Sequence, residues 1–96
     1  MKVEFHPSTT ADLNEAVRYY NKQQPGLGNT LRTEVYAAIE FIQQNPEIYV
    51  AAKGVRRALV KRFPYSVIYK LIPDQCVRVL LIRHHKRHPE HGFRRQ

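Results

Sequence analysis

Apolar and polar residues alternate over Lys2–His6, with Val3 and Phe5 on one side and Lys2, Glu4 and His6 on the other. That period of two marks a short half-buried strand, and Pro7 ends it. The period then lengthens. Leu13, Ala16, Val17 and Tyr20 recur at i, i+3, i+4 and i+7, one apolar stripe of an amphipathic helix. Thr9 and Asp12 carry the S/T-x-x-acid spacing of a helix start, in which the hydroxyl caps a free backbone N–H. Pro25-Gly26 should end this helix near Gln24, and Gly28 adds another weak point. A second stripe, Leu31, Val35, Ala38, Ile39 and Ile42, runs for three turns until Asn45-Pro46 stops it. Two such helices joined by a short loop predict an antiparallel hairpin whose shared apolar face must be buried.

Beyond Val55 the pattern becomes strand-like. Val55–Phe63, Tyr65–Ile72 and Val77–Ile82 are rich in Val, Ile, Leu, Tyr and Phe, and turn-like Phe63-Pro64 and Pro73-Asp74-Gln75 separate them. Three strands with short links favour an antiparallel meander. The last two are apolar on both faces, which places them in the sheet centre. The expectation is an α+β fold: a single βααβββ domain over residues 1–96, with a helical hairpin on one face of an antiparallel sheet and a basic C-terminal tail.

Composition narrows the class. A chain of 96 residues builds one modest core, and 43% hydrophobic residues suffice to fill it. No apolar run approaches the roughly 20 residues that cross a bilayer. The N-terminus has no signal-peptide pattern, so a cytoplasmic protein without membrane association is expected. Cys76 is the only cysteine, which rules out an internal disulfide and suits a reducing compartment.

Charge changes the picture most. Residues 1–50 carry four Lys/Arg against six Asp/Glu, a net −2, whereas residues 51–96 carry twelve against two, a net +10. Such asymmetry attracts polyanions: nucleic acid, a nucleic-acid-containing machine, or an acidic protein segment. The tail from Arg83 to Gln96 concentrates five Lys/Arg and four of the five histidines in fourteen residues.

In this order the residues resemble a known family. The helix opening Ser8…Ala11-Asp12-Leu13, the Asn45-Pro46 stop, the strand Gly54-Val55-Arg56-Arg57 and the run Arg62-Phe63-Pro64-Tyr65-Ser66-Val67-Ile68-Tyr69 are similar to those of the RelE/ParE toxins. So is the ending, His85 followed by Arg87, Pro89, Phe93, Arg94 and Arg95. The resemblance implies the growth-arresting toxin of a bacterial type II toxin–antitoxin pair. It implies a cognate antitoxin as partner, and operator DNA reached only through the antitoxin complex. RelE-type members cut mRNA on the ribosome, whereas ParE-type members act on DNA gyrase and are not nucleases.

Metal-independent RNA cleavage needs a base, cations for the pentavalent phosphate, and an acid for the leaving oxygen. Arg57, Lys61, Arg62 and Arg83 are candidate phosphate stabilisers, and His84 or His85 a candidate base or acid. Strand alternation would put Arg57 and Lys61 on one face and Arg62 on the other. The catalytic set of a nuclease would be Arg57 and His85, which match family positions by resemblance, together with Arg83 as a further phosphate stabiliser. Target binding would draw on Lys61, Arg62, Arg83, His84, Lys86, Arg87, Arg94 and Arg95. Two departures weaken the nuclease reading: Ser66 stands where those enzymes tend to keep an arginine, and Phe93 where they keep a proton-transferring residue. The balance leans to the ParE type. No cofactor and no metal site are expected, since the histidines sit among cations and Pro89 breaks their run. Tyr65 and Tyr69 read as core aromatics with wet hydroxyls, and Cys76 as a packing or turn-edge thiol.

Overall fold

A computed structural model of the chain describes residues 1–86. The order is β1 (Lys2–Phe5), α1 (Thr9–Gln23), α2 (Leu27–Gln44), β2 (Arg56–Leu59), β3 (Tyr65–Ile72) and β4 (Cys76–His84). The four strands lie side by side as β1-β4-β3-β2. As the two-sided apolar pattern requires, β3 and β4 occupy the centre. The meander β2-β3-β4 is antiparallel, but β1 pairs with β4 in parallel, Val3 opposite Val77 and Phe5 opposite Val79. The sheet is therefore mixed rather than antiparallel. This pairing joins segments more than seventy residues apart, which no local pattern encodes.

The helical hairpin covers one face. Leu13, Ala16 and Val17 of α1 and Leu31, Val35, Ile39 and Ile42 of α2 pack with Ala58, Val67, Tyr69, Val77, Val79 and Ile82 from the sheet. A smaller cluster, Val55, Ile68, Leu80 and Leu81, lies on the other face. Leu80 and Leu81 share that face because a bulge at Ile68/Tyr69 leaves Leu80 without a cross-strand partner.

The structure departs from local expectation in four places. Thr9 does not cap α1. The cap position is Ser8, in helical conformation and without a side-chain cap bond. Thr9 is buried instead, and its hydroxyl faces the carbonyls of Val79 and Leu80, at 3.4 and 3.2 Å, where the bulge disturbs the ladder. Gly28 is not a weak point but a contact. A Cβ there would sit 2.1 Å from the Val17 carbonyl oxygen, so only glycine lets α1 and α2 approach so closely. Its N–H donates to Asn21 Oδ1 at 2.7 Å. The second strand stops at Leu59, four residues short of the expected end, because Arg62 takes φ 71° and turns the chain into β3. Tyr69 is fully buried, and its hydroxyl donates to the Pro46 carbonyl at 3.0 Å rather than to water. Among the described residues no helix is long and apolar enough to cross a membrane.

Candidate functional site

Strand register assembles the site on the sheet face away from the helices. Arg57 lies opposite Ile68, which lies opposite Leu81; in the next row Leu59 faces Ser66, which faces Arg83. Alternation puts Arg57, Leu59, Ser66, Ile68, Leu81 and Arg83 on the same side. Arg57 is exposed and Arg83 half-buried. Burial first, and then the nearby positive charge of Arg57, holds the Arg83 guanidinium below its usual range. Two guanidiniums that share one face and repel each other make an anion on that face favourable.

His85 joins them from just past β4. Its backbone N–H donates to the Pro64 carbonyl at 2.9 Å, which continues the pairing by one residue. That fixes the ring over β3, where Nε2 lies 2.9 Å from Ser66 Oγ. The tautomer of His85 decides which of the two donates. Ser66 is fully buried, so the hydroxyl is a fixed partner for the exposed imidazole.

The structure thus gathers Arg57, Arg83 and His85 and separates the other candidates from them. His84 points the opposite way: its ring meets Tyr65 edge-on at 5.0 Å and 83°, and its Nδ1 accepts from the Lys86 N–H at 3.0 Å. Lys61 and Arg62 fall in the turn after β2, so strand alternation does not apply to them. Arg62, 74% exposed, reaches toward the helices and meets Glu34 at 3.7 Å. An ion pair so exposed contributes little. Neither the Arg62–Glu34 nor the Arg78–Glu4 ion pair involves Arg57. Arg87, Phe93, Arg94 and Arg95 lie outside the described residues. No group of three metal-ligating side chains occurs among the described residues.

Sequence reasoning misses two features of this surface. In the sequence Ser66 is only the absence of an arginine, whereas in the fold it is the partner that orients His85; no local signal links positions nineteen residues apart. At the far end of the same face, Glu4 accepts hydrogen bonds from Cys76 Sγ at 3.0 Å and from Arg78 at 3.2 Å. Those bonds draw the Glu4 carboxyl below its ordinary range, and the bond to Glu4 raises the Cys76 thiol above its own. Cys76 is therefore held as a neutral thiol, not a nucleophile.

Comparison with known proteins adds a common ancestry to this geometry. The family model described as the ParE toxin of type II toxin–antitoxin system, parDE, matches residues 3–89. Among solved structures, the chromosomal ParDE TA system from P. aeruginosa superposes with a TM-score of 0.76 at 19% identity, covering 88% of this chain and 95% of that one. At that identity the structural likeness bears on the fold. No match was found among curated proteins.

Proposed function

The chain belongs to the ParE toxin family of type II toxin–antitoxin systems, and on that basis we propose that it arrests growth by inhibiting DNA gyrase through contacts made by the basic face of its sheet. The cognate antitoxin is its regulatory partner, and operator DNA is reached through the toxin–antitoxin complex. The observation that carries this reading is the Ser66–His85 contact, 2.9 Å, set beside Arg57 and Arg83. This face is built to bind. Two cations and an oriented imidazole suit an acidic or phosphate-bearing surface. It is poorly equipped to cut. A serine hydroxyl occupies the position where a third cation would stabilise a pentavalent phosphate, and losing one such group typically costs ~100- to 1000-fold in rate.

A second reading draws on the same contact. His85, held by Ser66 near two guanidiniums, is arranged as a base beside phosphate stabilisers, which favours a ribosome-dependent mRNA endoribonuclease. Two assays separate them: supercoiling by purified gyrase with added toxin, and mRNA cleavage in a reconstituted translation reaction. The proposal expects supercoiling to fall and mRNA to stay intact. Codon-positioned cuts that vanish in Arg57→Ala and His85→Ala, with gyrase unaffected, would establish the nuclease instead.

A further inference from the structure

The two outer edges of the sheet present different chemistry. The edge at β2 carries Arg56 and Arg57, with Lys61 and Arg62 in the turn that follows. Like charges at that density keep a second such strand away. At the opposite end, β1 is paired on one side only among the described residues, to β4. The His6 N–H donates to the Val79 carbonyl at 2.8 Å, so the even-numbered positions of β1 direct their N–H and C=O groups to β4. Those of Val3 and Phe5 therefore turn outward. Met1, Phe5 and, on α2, Tyr36 are exposed large hydrophobics. Phe5 and Tyr36 border one shallow hollow on the helix side, where the cation on the rim, Arg32, is bonded to Asn14 Oδ1 at 3.0 Å. On the other face, Cys76 and Arg78 both donate to Glu4 Oε1, and Oε2 accepts from neither.

We propose that β1 pairs antiparallel with β1 of a second copy, about a twofold axis at Val3, joining the two four-stranded sheets into one. The strand is complementary to itself in that register. Val3 meets Val3, and each donates its outward N–H to the other's carbonyl. On the helix side, Phe5 of one copy stands opposite Met1 of the other, so each covers an exposed apolar side chain. On the far face, Lys2 of one copy stands opposite Glu4 of the other. With Arg78 beside Glu4 on β4, that carboxylate then lies between two cations. A shift of two residues either way would set Lys2 against Lys2 or Glu4 against Glu4. A shift of one would bring side chains of opposite faces together. Net charge permits the approach at this edge. Each chain carries +8, but residues 1–50 contribute −2, and β1 lies across the sheet from Arg56 and Arg57. A four-residue strand makes a small interface, so the dimer is weak, with a Kd of roughly 10–100 µM.

Sedimentation equilibrium of the full-length protein between about 5 µM and 1 mM tests this. Roughly 0.15 M salt largely screens charges more than ~8 Å apart. Reversible dimerisation is expected, with the Val3 and Phe5 amide resonances shifting as it proceeds and those of β2 unmoved. Lys2→Glu and Glu4→Lys each set like charges opposite one another, and each should weaken self-association about tenfold. Mixed together, the two variants regain both complementary pairs and should dimerise about as well as the parent. Far-UV circular dichroism identical to the parent's is expected of both. Leu59→Ser alters an exposed position on the other edge and should leave the Kd unchanged. A protein that stays monomeric to about 1 mM would overturn the proposal. So would folded variants that fail to pair when mixed, or a dimer that Leu59→Ser weakens and Lys2→Glu does not. Protection of the Val3 and Phe5 amides that arises only on adding the antitoxin would assign the edge to that partner instead. None of these outcomes depends on whether gyrase is the target.

Discussion

Ser66 Oγ and His85 Nε2 lie 2.9 Å apart, a bond between a fully buried hydroxyl on β3 and an exposed imidazole just beyond β4. It ties the end of the ladder to the sheet centre and gives the imidazole one orientation relative to Arg57 and Arg83. Ser66→Ala removes the partner while leaving the ring in contact with water. A loss of about 1 kcal/mol is expected, or a fall of roughly 4–8 °C in Tm for a domain of this size. Growth arrest should weaken by more than that stability loss explains. Differential scanning calorimetry alongside induced expression without antitoxin tests the pair of effects. A variant as toxic as the parent would show that the orientation of His85 is not used.

Arg57 behaves differently, because the structure gives it a like charge as neighbour. Arg57→Ala relieves the positive field that, after burial, lowers the Arg83 pKa. Folding stability should change by no more than about 0.5 kcal/mol, as at most surface positions. Activity should fall severely all the same. Urea denaturation and gyrase supercoiling on one preparation separate these effects. Marked destabilisation would mean that Arg57 holds the sheet together rather than meeting a target.

Gly28 sets the distance between the helices. A Cβ at this position would stand 2.1 Å from the Val17 carbonyl oxygen and 2.8 Å from Asn21 Cγ, so Gly28→Ala cannot be accommodated by a side-chain rotation alone. The hairpin must open, at a cost of about 1–3 kcal/mol as in other overpacked contacts. A lower urea midpoint with unchanged m-value is the expected signature. A midpoint equal to that of the parent would show that the crossing has slack.

Tyr69 links stability to alkaline pH. Burial, the largest cause, raises its phenol above the ordinary value of 10.0. The folded state therefore holds the proton more tightly than the unfolded one. The resulting stability is fully present below about pH 10 and is lost as pH rises through the higher folded value. Tyr20 is shifted in the same direction, also chiefly by burial. Tyr69→Phe should lose about 1 kcal/mol at neutral pH, the worth of the hydroxyl's bond to the Pro46 carbonyl. Above about pH 10 it should decline less steeply than the parent. Parallel slopes for the two proteins between about pH 9 and 11 would count against this linkage.

Much of the fold is legible in the sequence because its signals are local. The stripe Leu13, Ala16, Val17, Tyr20 and the stripe from Leu31 to Ile42 each specify a helix by spacing alone. Apolar residues on both faces of β3, among them Val67, Ile68, Tyr69 and Leu71, specify a strand buried on both faces, and Tyr65–Ile72 begins and ends where the pattern does. Charge asymmetry and the order of short motifs suffice to point to the toxin family. Arg57 and His85 also stand out in the sequence through resemblance, and Arg83 as a cation beside them, but nothing in their spacing says that they meet.

Tertiary structure decided what depends on distant pairing. The parallel edge contact of β1 with β4 is set by burial of Val3 against the common core, not by any property of Lys2–Phe5 itself. The bulge at Ile68/Tyr69 shifts Leu80 to the far face and redirects Thr9 from capping a helix to bonding two carbonyls of β4. Arg62, equivalent to Arg57 in composition, leaves the site because a single left-handed residue ends β2 early. Ser66 becomes the partner of His85 only when the register places it opposite Arg83. Local sequence sets periodicity and charge because each residue's preference acts within a few positions. Which charges share a face is fixed by strand register, an energy summed over the whole sheet.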